Sequence, residues 1–163
     1  VLINKRYLTW QEVEILVGNI VNDLRDDQAA FDEMLVVARG GLVPAGLISK
    51  RLDIRNIITA SVLFYSNSTD SHAFLQFPEE ACISGRKILI VDDVWNTGRT
   101  IMDVKNRVKA AGGEATTAVL HYKPMCSKFT DVFPDYVGEE VTDHWIVYPW
   151  DPIRLESGVH RFK

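Results

Sequence analysis

The chain has 163 residues, of which 47% are hydrophobic and 25% are charged, and its formal net charge is −4. This length and composition predict one compact globular domain and exclude a disordered or fibrous protein. The acidic balance argues against a protein that binds nucleic acid through a basic face. No segment approaches the roughly 20 apolar residues of a membrane span, and two cysteines are too few for a disulfide scaffold. We therefore expect a cytoplasmic protein with no nucleic-acid or membrane partner.

The N-terminal part of the chain predicts an amphipathic helix. Thr9 and Glu12 have the spacing of a capping box, in which each residue satisfies a free backbone N–H of the other. Apolar residues then recur at helical spacing from Val13 to Leu24. The acidic pair that follows Arg25 ends this helix, whose apolar face must pack on another element.

The next segments predict a strand, a helix, a second strand and a loop. The short apolar run 34–38 predicts a strand buried on both faces, and Pro44 suits the first turn of a helix that ends near Arg51. Residues 57–65 are rich in β-branched and aromatic side chains and predict a strand. The polar segment 66–80 predicts a long loop, which in a small domain is more often a functional lid than a simple connection.

The second half of the chain continues the alternation of strands and helices. Residues 87–91 predict a buried strand, the apolar positions from Ile101 to Val108 predict a helix, and residues 115–121 predict another strand. Beyond Pro124 we expect irregular structure. Strands that alternate with helices predict an α/β fold with a mainly parallel sheet and right-handed crossovers.

Two acids followed by a phosphate-binding pattern come after the strand at 87–91. Ligands of open parallel sheets bind at the carboxyl ends of the strands. Asp92 and Asp93 are expected there, where their carboxylates can accept hydrogen bonds from a sugar diol. Residues 97–100 open the next helix, whose free N–H groups, hydroxyls and dipole suit a phosphate. The alternative is that two aspartates only end a strand and TGRT only caps a helix.

A second anion-binding pattern follows the strand at 34–38. Arg39, Gly40 and Gly41 are expected at the same edge of the sheet. Glycines let the backbone approach a ligand closely, and a guanidinium offers fixed donors to phosphate oxygens. Taken alone, this segment is also compatible with a tight turn that carries a surface arginine.

Both patterns resemble those of a known enzyme family. The run KILIVDDVWNTGRT at 87–100 resembles the phosphoribosyl diphosphate (PRPP) loop of type I phosphoribosyltransferases. The run ARGGLVPAGLISKRLDIRNI at 38–57 resembles the diphosphate loop and following helix of bacterial xanthine-guanine phosphoribosyltransferase, and the hypoxanthine-guanine enzymes are similar. The resemblance implies a mainly parallel twisted sheet flanked by helices in a single domain, 1–163. It also implies a small irregular base-binding hood, mostly from 122–163, and a mobile lid at about 66–80.

The resemblance also implies the parts of a binding site. The ribose hydroxyls are bound by Asp92 and Asp93. The 5′-phosphate is held by one continuous loop: Val94, Trp95, Asn96, Thr97, Gly98, Arg99 and Thr100. The diphosphate is bound by Arg39, Gly40 and Gly41, with a cis peptide before Arg39, and the purine by Lys123, Trp145 and Ile146. The implied cofactor is Mg²⁺, with Asp151, Asp92 and Asp93 as its protein ligands. The catalytic residues are Asn96 and Arg39.

The chemistry of the hood residues agrees with this implication. A lysine donates to a carbonyl such as the purine O6, and an indole stacks on a purine face. A main-chain carbonyl near Ile146 can accept from ring N–H or amino groups. Taken alone, Trp145 is better explained as a core residue and Lys123 as a solvated strand end.

The predicted function is transfer of the phosphoribosyl group of PRPP to hypoxanthine, guanine or xanthine in purine salvage. A homodimer or homotetramer is expected from the resemblance. Two departures from the family favour an alternative, a weakly catalytic PRPP or nucleotide sensor on the same fold. The family has an aspartate where this chain has Asn96, and an amide is no useful base. The lid segment 65–72 has no lysine or arginine, although Arg99 adds a cation nearby in the sequence.

Overall fold

The computed structural model describes residues 4–64, 72–142 and 144–152. In this part of the chain, strands and helices alternate as the sequence predicts. The helices are α1 (Trp10–Asp26), α2 (Leu42–Leu52) and α3 (Arg99–Ala110). The strands are β1 (Lys5–Tyr7), β2 (Glu33–Ala38), β3 (Ile57–Phe64), β4 (His72–Gln76), β5 (Lys87–Trp95), β6 (Glu114–Tyr122), β7 (Tyr136–Glu140) and β8 (Trp145–Val147).

Six strands form the central sheet in the order β4-β3-β2-β5-β6-β7, and only β4 is antiparallel to its neighbour. The two central strands, β2 and β5, are followed directly by the two predicted anion-binding segments. Because parallel strands end at the same edge of a sheet, both segments lie at one edge. A separate two-stranded parallel sheet pairs β1 with β8.

Helices cover both faces of the sheet. Thr9 caps α1 through the predicted capping box, and the apolar face of α1 packs on one side of the sheet together with α2. On the other side, Val104 and Val108 of α3 pack against Ile88 and Ile90 of β5. This alternation of β5 residues between two cores explains why its sequence is apolar at every position from 88 to 91. No helix in the described ranges has the length and apolarity needed to span a membrane.

Three predictions of secondary structure are wrong in detail. Strand β5 continues to Trp95, so Asp92 and Asp93 belong to the strand instead of following it. The predicted loop 66–80 contains β4 at 72–76 and a 3-10 turn at 80–82, whereas residues 65–71 lie outside the described residues. The region beyond Pro124 is not irregular throughout, because it supplies β7 and β8.

The strand β4 was missed because its sequence has no clear alternation. It is itself an edge strand that pairs with β3 with a register shift, and its Leu75 is exposed. Arg107 of α3 packs against this strand and the residue after it. Its guanidinium carbon lies 4.9 Å from the centroid of the Phe74 ring and 4.7 Å from that of the Phe77 ring. These tertiary contacts cannot be read from the local pattern.

Candidate active site

The segments after β2 and within β5 meet at the carboxyl edge of the sheet. The peptide between Ala38 and Arg39 is cis, as the resemblance implies. A Cβ atom on Gly40 would lie 2.6 Å from the carboxyl group of Asp93, and one on Gly41 would lie 2.8 Å from the Val37 carbonyl oxygen. Gly41 is therefore required by its close approach to backbone atoms, whereas the atoms nearest to Gly40 belong to a side chain. The structure brings the predicted diphosphate loop and the predicted ribose-binding acid into contact.

The acidic pair of β5 is strongly perturbed by its surroundings. Asp92 is 8% exposed, and burial together with the charge of Asp93 raises its pKa well above the ordinary value. Burial and the nearby Asp151 raise the pKa of Asp93 to about 6. Three carboxylates in a partly dry site favour a ligand that brings hydrogen-bond donors or positive charge.

The loop that leads into α3 packs on a small aromatic cluster around Trp95. Trp95 is 1% exposed, contacts the rings of Tyr122 and Phe129, and donates from its indole N–H to Ser127 at 3.2 Å. A Cβ on Gly98, which has φ +79°, would overlap this indole. The Trp95 side chain is thus a support beneath the loop and does not itself face a ligand.

The start of α3 has the features of an anion site. Gly98 is the N-cap residue and supplies no side-chain cap, and the Thr97 hydroxyl lies 3.5 Å from the Arg99 backbone N–H. Asn96 is exposed. A helix that begins without a side-chain cap offers backbone N–H groups and a positive dipole end to an anion.

The predicted purine-binding residues lie on two elements. Lys123 follows β6, is 8% exposed and donates its backbone N–H to the Trp95 carbonyl at 3.0 Å. Trp145 begins β8 and is 57% exposed, while the neighbouring Ile146 is buried. An exposed indole on a short strand is free to stack on a planar ligand, which core packing would prevent.

Tyr148 joins the segment after β8 to the acidic strand. Its hydroxyl lies 2.9 Å from the Asp93 carbonyl oxygen, and its backbone N–H donates to the Asp151 carboxylate at 2.8 Å. Its ring is 4% exposed and stacks on Trp150, with ring centroids 4.6 Å apart. Asp151 is therefore held beside Asp93, where its charge acts on that carboxyl group.

Comparison with known proteins decides the family. The family model described as "Phosphoribosyl transferase domain" matches residues 4–156. The chain belongs to the phosphoribosyltransferase family. It is 30% identical over 150 residues to a xanthine-guanine phosphoribosyltransferase of Gluconobacter oxydans, covering 91% of this chain and 85% of the relative. It is 34% identical over 127 residues to the Cereibacter sphaeroides enzyme of that name, covering 77% and 72%.

A solved structure supports the same assignment. The chain of a purine phosphoribosyltransferase from Pyrococcus horikoshii superposes with a TM-score of 0.79 and 33% identity, covering 96% of this chain and 99% of that one. The predictions of a type I phosphoribosyltransferase, of its mainly parallel α/β fold and of its enzyme class are confirmed. The individual site residues and the domain bounds stay predictions.

Sequence reasoning missed the polar residues that support the phosphoribosyltransferase site. His121 lies within β6, is fully buried and has its Nδ1 atom 2.8 Å from the Tyr148 hydroxyl. Its Nε2 atom lies 3.5 Å from Glu139 of β7, and Glu139 is paired with Arg6 of β1. A histidine that follows the apolar run 118–120 of this strand was the signal in the sequence.

The buried His121 predicts a pH dependence of the transferase's stability. Burial is the main cause that lowers its pKa to about 4, Arg6 and Lys123 also lower it, and Glu139 opposes them. The unfolded chain binds this proton near pH 6.5, so stability from His121 is full above pH 6.5 and is lost as the pH falls towards 4. The loss amounts to about 3 kcal/mol.

The measurement compares urea unfolding of the wild type and of His121→Gln from pH 7.5 to pH 4. Asp93, whose folded pKa is raised, acts with the opposite sign in this window, so the difference between the two proteins isolates His121. We expect that difference to shrink by about 3 kcal/mol as the pH falls. A constant difference would contradict the prediction.

Proposed function

We propose that this phosphoribosyltransferase transfers the phosphoribosyl group of PRPP to a 6-oxopurine base in purine salvage, releasing diphosphate. The substrates are hypoxanthine, guanine or xanthine. The names of the curated relatives and of the Pyrococcus horikoshii structure support a purine substrate. The observation that carries the proposal is the contact of the Asp93 carboxyl group with Gly40, because it joins the two predicted halves of a PRPP site.

Each part of PRPP has a predicted set of partners at this edge. Asp92 and Asp93 accept from the ribose hydroxyls, and the loop 94–100 holds the 5′-phosphate. Arg39 and the backbone N–H groups beside it bind the diphosphate. Two of these segments come from β5 and the loop into α3, and one follows β2, so the sheet fixes their separation.

The base is bound from the other side by the hood. Lys123 donates to O6 of the purine, Trp145 stacks on its ring, and the main chain at Ile146 accepts from its N–H or amino groups. Lys123 is bonded through its backbone to Trp95, which also supports the phosphate loop. The base and the ribose phosphate are thus held on one framework.

The reaction needs alignment more than covalent chemistry. A purine ring nitrogen displaces diphosphate from C1 of the ribose, with positive charge developing on the sugar. Holding the two substrates in line supplies most of the rate enhancement, and the carboxylates of Asp92 and Asp93 suit the positive charge. The lid at about 66–80 is proposed to exclude water.

Mg²⁺ is the proposed cofactor. In the described part of the chain, no three His, Cys, Asp or Glu side chains are grouped to hold a metal by themselves. The donor set nevertheless fits magnesium bound with its substrate, which takes one or two carboxylates together with phosphate oxygens. Asp93, Asp151 and Asp92 supply those carboxylates; burial is the main cause that raises the pKa of Asp93, and the charge of Asp151 adds to it. Bound magnesium neutralises the charge of the leaving diphosphate.

Asn96 is proposed to orient the base through a hydrogen bond to N7, since an amide does not accept its proton. Asn96→Asp is expected to raise turnover with hypoxanthine or guanine about tenfold, because a carboxylate then serves as the general base. The measurement is the turnover number at saturating PRPP, with Asn96→Ala as the matched control. Unchanged or lower turnover in Asn96→Asp would show that proton removal is not limiting.

One assay separates the enzyme from the sensor. The protein is incubated with Mg²⁺, PRPP and, in turn, hypoxanthine, xanthine, guanine, adenine or uracil, and diphosphate release is measured. We expect release with the 6-oxopurines. No diphosphate release with any of the five bases, while PRPP still binds, would establish the alternative of a PRPP or nucleotide sensor. The relatives, which are named as transferases, do not favour that alternative.

The assembly and location predicted from the sequence also belong to this proposal. A homodimer or homotetramer is tested by light scattering coupled to size exclusion, where a monomer mass would refute it. A cytoplasmic location is supported by Cys82 and Cys126, which are both free.

A further inference from the structure

A series of polar contacts, buried at His121 and Tyr148 and half-buried at Arg6 and Glu139, joins the hood to the acidic strand. Arg6 donates from Nη1 to both carboxylate oxygens of Glu139, each at 3.0 Å. Glu139 Oε2 lies 3.5 Å from Nε2 of His121. The other ring nitrogen of His121 lies 2.8 Å from the Tyr148 hydroxyl, which lies 2.9 Å from the carbonyl oxygen of Asp93. These contacts run from β1 to Asp93 in the predicted PRPP site.

In this series of contacts the Tyr148 hydroxyl has one proton and two possible acceptors, the Asp93 carbonyl oxygen and Nδ1 of His121. A carbonyl oxygen only accepts, so Tyr148 must donate if Asp93 is to be bonded. His121 must then carry its proton on Nδ1 and donate to Tyr148. Its Nε2 lone pair then faces Glu139 Oε2 at 3.5 Å, where no hydrogen bond forms and the two acceptors repel each other.

When His121 carries its proton on Nε2 instead of Nδ1, the Asp93 carbonyl loses its hydrogen bond from Tyr148. With the proton on Nε2, His121 points its N–H at Glu139, and Tyr148 donates to Nδ1 instead. The carbonyl oxygen of Asp93 then loses the Tyr148 hydroxyl. A second proton on the His121 ring would let Nε2 donate to Glu139 and Nδ1 donate to Tyr148, and Tyr148 could still donate to Asp93. Burial, however, lowers the pKa of His121 to about 4 and keeps only one proton on the ring at neutral pH.

The Tyr148 hydroxyl meets the Asp93 carbonyl at a point where the sheet has lost one of the two strands beside β5. The ladder between β2 and β5 ends at the pair Val36 and Val91, so beyond Val91 only β6 pairs with β5. Tyr148 is a rigid donor at this point, since its ring is stacked on Trp150 and its backbone is bonded to Asp151.

We propose that Tyr148 is a positioning residue for PRPP binding: its hydroxyl holds the main chain of Asp93, and His121 competes for the hydroxyl proton. Glu139 sets the outcome of this competition, because its charge attracts the His121 proton to Nε2. The inference rests on the proposed function only in taking PRPP as the ligand of Asp93.

The first test measures the Kd of Mg²⁺-PRPP by calorimetry. Tyr148→Phe is expected to raise this Kd roughly three- to tenfold, the effect of one lost hydrogen bond, and to change kcat at saturating PRPP less than twofold. The matched control is Tyr136→Phe, which removes a hydroxyl bonded to Asp27 at 2.8 Å on another part of the molecule. The control is expected to leave the Kd unchanged.

The second test uses Glu139→Gln in two backgrounds. The glutamine keeps an acceptor for Arg6 and offers an N–H to Nε2 of His121, which favours the Nδ1–H form. We expect about a threefold lower Kd for PRPP in the wild-type background and no change in the Tyr148→Phe background. An equal effect of Glu139→Gln in both backgrounds would refute the competition.

The third test observes the proton directly. Nitrogen-15 chemical shifts of the His121 ring, assigned by their loss in His121→Gln, report which nitrogen carries the proton. Glu139→Gln is expected to move the population towards Nδ1–H in the free protein, and no movement would overturn the inference. A wild type that does not bind PRPP would refute the proposed function as well. A wild type that binds PRPP equally well as Tyr148→Phe would refute this inference alone.

Discussion

Gly41→Ala is expected to lower the free energy of unfolding by about 3 kcal/mol and the Tm by roughly 10 °C. A Cβ at this position would overlap the Val91 carbonyl oxygen and lie 2.8 Å from that of Val37. Both atoms are backbone of central strands and cannot move aside. The backbone of Gly41 has φ −69°, which any residue adopts, so the loss is due to space alone.

The neighbouring Gly40→Ala is expected to separate binding from stability. The three atoms nearest to its Cβ position all belong to the carboxyl group of Asp93, which can rotate away. The fold is therefore kept, while the Kd for Mg²⁺-PRPP rises about tenfold because the ribose-binding carboxylate is displaced. Thermal unfolding and calorimetry measure the two effects.

Gly46→Ala is the matched control for both substitutions. Gly46 lies inside α2, and nothing stands within 4 Å of its Cβ position. Alanine there is expected to stabilise the protein by about 0.5–1 kcal/mol and leave PRPP binding unchanged. PRPP binding by Gly40→Ala at the wild-type level would contradict the contact between Asp93 and the diphosphate loop.

Asp93→Asn is expected to lower kcat/KM for PRPP about 100-fold, equivalent to 2.7 kcal/mol, and at the same time to stabilise the fold. The pKa of Asp93 is raised to about 6, mainly by burial, so its charged form is unfavourable in the folded state. Asparagine removes this charge. The gain is expected to be about 3 kcal/mol at pH 8, and it should shrink to below about 1 kcal/mol at pH 4, where the wild-type carboxyl group is protonated in the folded state and partly protonated in the unfolded state.

Urea unfolding at pH 8 and at pH 4 measures this gain, and steady-state assays measure the loss of activity. Asp131→Asn, at an exposed position, is the control and should change stability by less than about 0.5 kcal/mol. A destabilised Asp93→Asn protein at pH 8 would show that Asp93 serves the fold more than the ligand.

The sequence predicted the parts of the molecule that depend on local pattern. The capping box of α1, the alternation of strands and helices, and the order of the acidic pair and the phosphate loop follow from spacing within a few residues. Trp95 shows the limit of such reasoning. The sequence places it in the phosphate loop, whereas the folded chain buries its side chain beneath that loop.

The remaining features depend on contacts between distant segments. Tyr148 lies within the predicted hood segment, but the sequence assigns it no role, because its partner His121 lies 27 residues away and Asp93 lies 55 away. The end of β5 was placed too early because Asp92 and Asp93 are polar. Pairing with β6 extends the strand through them, and burial then shifts their pKa values.

The pairing of β8 with β1 has a consequence for the order of folding. The strand that carries Trp145 and Ile146 has its partner at Lys5–Tyr7, almost the whole chain away. A contact of such high sequence separation forms late, since the intervening chain must first be compacted. During synthesis, the six-stranded sheet and the predicted PRPP-binding segments at its edge can therefore form before Trp145 and Ile146 have been added. We expect a ribosome-bound chain that ends before Trp145 to hold PRPP only weakly, since it also lacks Tyr148 and Asp151, and to be unable to select a base.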